Sequence, residues 1–337
     1  MRIGILTFHN ADNYGAVLQC YALQETLKNQ YPNDEVYVID YKCPAIEKSY
    51  VPHINFKRPW SILTYFKTKK KRKKFEQFRK KYFNLGSPDF SKYDMIYYGS
   101  DQIWNPSITN RDLMYFGKGY NGIKIAYAAS DGGKMEYDSE ICKLLNSFSS
   151  VSCREKTMKE KLADIKLPID TILDPVFLLS KEEWMKIAKK PKEKNYVLVY
   201  KIRENLNFNS EAEKLGEKFN KKVIQIVYVK TLRKYFYEKQ TFVAITPEQF
   251  VGYFAYADFV LTTSFHGTAF SIIFDKAFYV LEIDNASERI TDLLSELNIS
   301  DRYGIAVKTD KQIIQNFELY KQNAYNFLSS VNTKICL

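Results

Sequence analysis

Residues 258–283 read DFVLTTSFHGTAFSIIFDKAFYVLEI. The run Asp258–Thr263 has the length and β-branched content of a strand, and Ser264-Phe265-His266-Gly267-Thr268 is a short polar break. Ala269–Phe274 is apolar and helical in character, and Ala277–Ile283 is a second strand-like run. Strand, turn, helix and strand in immediate succession form a βαβ unit, whose two strands must lie parallel. This segment therefore argues for an α/β protein built on a parallel sheet.

The same alternation extends in both directions. Arg2–Phe8, Glu35–Tyr41, Met95–Gly99, Lys124–Ala129, Val151–Cys153 and Thr171–Leu173 read as strands, with helices at Ala16–Asn29 and Ser139–Ser147. After Pro175 a helical stretch near Lys181–Lys189 leads into the charged, proline-bearing segment Lys189–Lys194, and the pattern then restarts. Tyr196–Ile202, Lys222–Val229, Phe242–Ile245, Asp258–Thr263 and Ala277–Ile283 are its strands, with helices near Ser210–Phe219, Pro247–Tyr256, Gly267–Phe274 and Ser287–Leu297. The expected division is a first domain over 1–180, a hinge over 181–194, a second domain over 195–310 and a closing helical segment over 311–337. Two successive α/β units joined by a hinge predict a cleft, with ligands outside the carboxyl ends of the strands.

At 337 residues, 45% apolar and 26% charged, the chain can bury two cores and is neither disordered nor low-complexity. Five cysteines without a C-x-x-C pair and only three histidines support neither a disulfide framework nor a structural zinc site. Reduced thiols in a cytoplasmic protein are expected. No apolar stretch approaches the length of a signal peptide's core or a membrane span.

The formal net charge of +11 is concentrated. Lys67–Lys81 holds ten Lys or Arg and one Glu, leaving only +2 on the remaining residues, so a nucleic-acid-wrapping protein is not expected. Phe75, Phe78 and Tyr82 recur at helical spacing within this segment. Two readings stand: peripheral contact with an anionic membrane surface, or a solvated helix whose aromatics pack on their own domain.

Gly117, Gly119 and Gly122 spell a dinucleotide-type G-x-G-x-x-G, but they precede a strand where the fingerprint must follow one, so a turn is expected. Two other breaks carry chemistry. The loop His9–Gly15 joins the first strand to a helix; Asn13 and Gly15 suit a tight turn, and Tyr14 can cover a sugar or a planar acid. An ordinary capped βα turn has the same composition. The break at Ser264–Thr268 sets His266 at a strand's carboxyl end beside a helix N-terminus, where anions are favoured and an imidazole can move protons near neutral pH. Ser264 and Thr268 offer hydroxyls to a phosphate, and Gly267 permits close approach to the backbone. A structural histidine is the alternative. Gly99–Pro106 adds Asp101 and Trp104, a mixture of carboxylate, amide and indole suited to sugars or to a capping loop. Arg154, Arg289 and Arg302 can each clamp a carboxylate or phosphate, or pair with a nearby acid.

Taken in order, GILTFHNADNYGAVLQCYALQ, YYGSDQIWNP, IAYAASDG, VSCREK, ILDPVFLL, LTTSFHGTAFSIIF and SERITDLLSELNISDRY resemble the polysaccharide pyruvyl transferase family over residues 2 to 303. The resemblance implies a GT-B-like fold of two Rossmann-like domains facing across a cleft. It implies transfer of the carboxyvinyl group of phosphoenolpyruvate to a saccharide hydroxyl pair as a pyruvate ketal, in capsule, exopolysaccharide or cell-wall polymer assembly. Phosphoenolpyruvate would be co-substrate, with no cofactor or metal, and the acceptor a saccharide, lipid-linked or free. The family histidine falls on His266 and a family arginine on Arg154. Many members carry Arg two residues before that histidine, where this chain has Ser264; Arg154, Arg289, Arg302 or Lys201 would then supply the cation, or another donor would be used. On this reading Arg154, Ser264, Gly267, Thr268, Arg289 and Arg302 hold the donor, and Asn13, Tyr14, Gly15, Asp101 and Trp104 line the acceptor side. The alternatives are a GT-B glycosyltransferase using a nucleotide sugar and a non-catalytic glycan- or membrane-binding assembly protein.

Overall fold

Among the described residues, the strand-forming runs pair in parallel, in two separate sheets. A computed structural model describes residues 1–50, 61–202, 208–227, 240–281, 288–297 and 321–331. The first sheet holds seven strands: β1 (Arg2–Leu6), β2 (Glu35–Ile39), β3 (Leu85–Gly86), β4 (Met95–Tyr98), β5 (Ile123–Ala129), β6 (Ser150–Cys153) and β7 (Ile169–Thr171), in the order β3-β2-β1-β4-β5-β6-β7. The second holds β8 (Tyr196–Tyr200), β9 (Lys222–Ile226), β10 (Thr241–Val243), β11 (Phe259–Thr262) and β12 (Ala277–Val280), in the order β10-β9-β8-β11-β12. Both sheets start at an inner strand, wind outward to one side, and return to wind to the other. This is the doubly wound, Rossmann-like order.

Burial follows from that topology. Every residue of β4 and of β8 is buried, as parallel strands covered on both faces must be. In β4 the pleat sends Met95 and Tyr97 into one core with Ile3, Ile5, Leu23 and Leu27. Ile96 and Tyr98 enter the opposite core with Leu6, Ile103, Trp104 and Phe116. Helices start where their caps dictate. Thr246 and Gln249 form a capping box ahead of the helix Pro247–Tyr256, with Pro at its first turn. Ser180 and Glu183 do the same for Lys181–Ile187.

Contacts divide the chain into one unit of Met1–Val51, Arg79–Leu179 and Phe317–Leu337, and a second of Pro52–Phe78 and Ser180–Asn316. Three features differ from the linear division expected from the sequence. The hinge segment 181–194 opens as a capped helix of the second unit, with Trp184 fully buried edge-on to Phe270 and Lys189 N–H donating to Glu248 O at 2.9 Å. The closing helical segment returns to the first unit: Ala324, Phe327, Leu328 and Val331 complete the core that holds β1 and β4. Gln30 Nε2 donates to Leu328 O at 2.8 Å, and Tyr325 OH to Leu178 O at 2.6 Å. The basic segment lies on the helix Ser61–Tyr82, most of which clusters with the second unit rather than the first. The last strand of the first sheet sits two residues earlier than expected. Ile169 pairs with Val151, whereas Ile172 and Leu173 are buried in the turn that follows. Gly117 and Gly119 lie in turns at φ 75° and 78° ahead of β5, as their position before a strand requires.

Candidate active site

Each sheet reverses its winding between two adjacent inner strands, β1 and β4 in the first and β8 and β11 in the second. Connections leave these pairs in opposite directions, so their carboxyl ends are the places where a parallel sheet opens to a ligand. The chemistry-bearing segments of the sequence emerge at these two edges.

In the second unit, hydroxyls tie the two strand ends together. Thr262 Oγ1 donates to Tyr200 O at 2.7 Å, Ile202 N–H donates to Thr263 Oγ1 at 3.2 Å, and Ser264 N–H donates to Thr262 Oγ1 at 3.1 Å. Ser264 then caps the helix Phe265–Ile273, its Oγ accepting from Gly267 N–H at 3.4 Å, while Thr268 Oγ1 donates back to Ser264 O at 3.1 Å. These two hydroxyls, expected to meet a phosphate, serve the turn itself, and Thr268 is fully buried. Gly267 also has a different reason from the one expected. A Cβ there would fall 2.2 Å from Thr262 Oγ1 and 3.2 Å from Tyr200 Cδ1, so the glycine lets the helix pack against β8 and β11.

His266 is the second residue of that helix, 8% exposed, with its ring edge-on to Phe265 at 5.3 Å. It sits in the first turn, where the helix presents its positive end. Lys201 follows β8 at the same edge, 8% exposed, its Nζ donating to Asn209 Oδ1 at 2.7 Å. The helix Glu288–Glu296 carries Arg289 in its backbone, and Arg302 lies outside the described residues.

The edge of the first unit is different in charge. Gln19 bridges its two strands, with Nε2 donating to Thr7 Oγ1 at 2.8 Å and Oε1 accepting from Ser100 N–H at 3.2 Å. Asp101 follows in the left-handed region at φ 70°. Arg154, leaving β6, points to Asp174 Oδ2 at 2.5 Å through Nη1 and to Asp101 Oδ1 at 3.6 Å through Nη2. Ser100 Oγ reaches Asp174 at 3.4 Å, and Ser130 Oγ donates to Glu155 Oε1 at 2.6 Å. Burial disfavours the charged guanidinium, but Asp174, Glu155 and Asp101 outweigh it and hold the Arg154 pKa above its usual value. One guanidinium thus faces three carboxyls. The arginine expected to clamp an anionic donor is already paired and buried, in surroundings that repel a further anion. The Asp101 side chain, at 14% exposure, is the accessible member of the cluster.

The loop after β1 is equally tied down. Arg79 contacts Asp12 Oδ1 at 3.2 and 3.3 Å through its two terminal nitrogens, and both side chains are buried. His9 Nε2 lies 3.2 Å from Asp40 Oδ1, and this hydrogen bond lowers the Asp40 pKa. Asn13 is half-buried and accepts from Gly15 N–H at 2.9 Å as the cap of the helix Tyr14–Gln30. A small pocket lined by Thr7, Asn10, Tyr41, Cys43 and Tyr115 adjoins the loop. Tyr14 and Trp104, expected on an acceptor surface, are core residues at 1% and 0% exposure. The Trp104 indole stacks on Phe116 and donates to Tyr115 O at 2.9 Å, while Gly15 is buried in the helix's first turn.

Sequence reasoning did not single out Asp174, Arg79 or the His9–Asp40 pair. Asp174 had a local signal in Asp174-Pro175 directly after a strand. Arg79 had none, because a charge inside a basic run gives no sign of being buried. Among the described residues, no three His, Cys, Asp or Glu side chains are disposed to hold a metal ion.

The profile of a family described as polysaccharide pyruvyl transferase matches residues 13–285. No curated protein matches the chain. Among solved structures, UDP-GlcNAc 2-epimerase from Neisseria meningitidis bound to UDP-GlcNAc is 11% identical with a TM-score of 0.52, covering 99% of this chain and 100% of that one. A Listeria monocytogenes protein assigned as a UDP-N-acetylglucosamine 2-epimerase is 10% identical with a TM-score of 0.52, covering 95% and 94%. The glycosyltransferase SnogD from Streptomyces nogalater is 8% identical with a TM-score of 0.48, covering 98% and 99%. At such identities the likeness is one of fold: α/β, GT-B-like, with two Rossmann-like units.

Proposed function

Because the chain belongs to the polysaccharide pyruvyl transferase family, we propose that it transfers the carboxyvinyl group of phosphoenolpyruvate to two hydroxyls of one saccharide, forming a pyruvate ketal. The observation that carries this reading is the position of His266, in the first helical turn after β11 and at the reversal point of its sheet.

The donor brings a phosphate and a carboxylate. The start of the helix Phe265–Ile273 and the Lys201 ammonium would hold these charges. The Lys201 assignment takes the place of Arg154, which is already paired with Asp174 and Asp101. His266 would protonate the terminal methylene while a sugar hydroxyl adds to the adjacent carbon. The carbon–oxygen bond to phosphate breaks, and a second hydroxyl closes the ketal. Of the two hydroxyl protons lost, one balances the proton gained by the methyl group and the other leaves with phosphate. The saccharide is a neutral polyol, to which Asp101 and Asn13 would hydrogen-bond and which an acidic edge does not repel.

The test is direct. Phosphoenolpyruvate should raise the melting temperature of the wild-type protein, and incubation with candidate acceptors should release phosphate with the mass gain of a ketal. Stabilisation by nucleoside diphosphates with none by phosphoenolpyruvate would instead identify a nucleotide-sugar glycosyltransferase.

A further inference from the structure

The helix Ser61–Tyr82 turns Phe75 and Phe78 away from four of its lysines. Phe75 and Phe78 are 0% and 1% exposed, and Arg79 is buried on Asp12, so these residues face the protein. Phe66, Lys69, Lys70, Lys73 and Lys80 are exposed, and Phe66 at 62% is among the most exposed large apolar side chains described. With 3.6 residues per turn, those five residues fall within an arc of about 100°, diametrically opposite Phe75. Among the described residues, none of these four lysines forms an ion pair; Glu76 pairs with Arg72, outside the arc, at 3.4 Å.

We propose that this face docks the protein on an anionic lipid bilayer, with the lysines at the headgroups and the Phe66 ring inserted beneath them. Four ammonium groups on one side of a helix complement a flat, diffusely negative surface. An exposed aromatic at the end of the same face adds an apolar contact that a phosphate backbone does not reward, and the rest of the chain carries only +2, leaving little to enclose a nucleic acid. The buried aromatics are not part of the contact. No described helix is long and apolar enough to cross a membrane, and the attachment proposed is a peripheral, reversible one.

The experiment is sedimentation of the full-length protein with vesicles of phosphatidylcholine containing about a third phosphatidylglycerol, and with pure phosphatidylcholine. Binding to the charged vesicles should be at least about tenfold tighter and should fall as salt is raised. Lys70→Glu with Lys73→Glu should weaken it by well over about 25-fold, since each of the two ammonium groups lost costs roughly fivefold and each carboxylate gained adds repulsion. Lys69→Gln with Lys80→Gln should give a smaller loss on a protein whose fold is checked by circular dichroism. Phe66→Ala should weaken binding several-fold without changing its salt dependence. The control pair Lys186→Glu with Lys192→Glu, exposed elsewhere, should leave binding within twofold. Equal binding to both vesicle types, or equal losses in the control pair, overturns the proposal. So does tighter, Lys70- and Lys73-dependent retention of an RNA duplex than of charged vesicles.

Discussion

Arg154 Nη1 lies 2.5 Å from Asp174 Oδ2, with the two side chains 3% and 0% exposed. A cation so placed has left water entirely, and its partner's charge is what makes the position tolerable. Removing Arg154 leaves Asp174, Asp101 and Glu155 without their shared cation, and removing Asp174 leaves the buried guanidinium only its more distant carboxyls. Asp174→Ala and Arg154→Ala should each destabilise the protein by about 3–5 kcal/mol, measured by urea denaturation. A stable Arg154→Ala protein with a raised KM for the donor would show that the guanidinium contacts substrate instead.

His266→Ala should lower kcat by at least about 100-fold in a protein whose circular dichroism is unchanged, because the proton gained by the methylene is routed through this imidazole. Near-wild-type turnover in this variant would remove the proton-transfer assignment. Steady-state phosphate release is the measurement.

Lys201→Met tests the donor cation separately. It should raise the KM for phosphoenolpyruvate at least about tenfold, the expected cost of losing one charge-assisted contact to an anion. The KM for the saccharide should stay within about twofold. A change confined to the saccharide would move Lys201 to the other substrate.

Gly267→Ala places a methyl group 2.2 Å from Thr262 Oγ1, and Thr262 is fixed by its hydrogen bond to Tyr200 O. The helix must shift away from β11, at a cost of about 1–3 kcal/mol in a melting experiment. An unchanged melting temperature with lost donor binding would favour a ligand, rather than the strand, as the reason for the glycine.

Asp40 titrates below its usual range because it accepts from His9, with Lys42 adding to the effect. A carboxyl whose folded pKa is depressed contributes stability that is present above its unfolded value, near pH 3.9, and lost as pH falls through the folded value. Melting temperatures of wild type and Asp40→Asn should therefore differ at pH 6, start to converge only as pH falls below the unfolded value of about 3.9, and meet below the depressed folded value. A constant difference across that range would mean that the substitution acts through packing.

The repeated alternation of apolar runs and helical patterns was enough to read two parallel α/β units. Pro247–Tyr256 was legible to the residue, because Thr246, Pro247 and Gln249 state its start. His266 was legible as a strand-end residue for the same local reason. Trp104 and Tyr14 were not legible as core, because a loop indole or phenol reads alike whether it covers a sugar or fills a void. Whether Arg154 clamps an anion or pairs with an acid was not legible, because its partners lie 53 residues before it, at Asp101, and 20 after it, at Asp174.

By itself, then, the sequence determined the elements, their parallel pairing and which segments leave the carboxyl ends of strands, since periodicity and caps are local properties encoded by adjacent residues. Tertiary structure decided which charges are already spent on one another, which aromatics are interior, and which face of the basic helix meets solvent. Those outcomes depend on contacts between residues far apart in the chain, where desolvation and pairing act together and no local pattern records them.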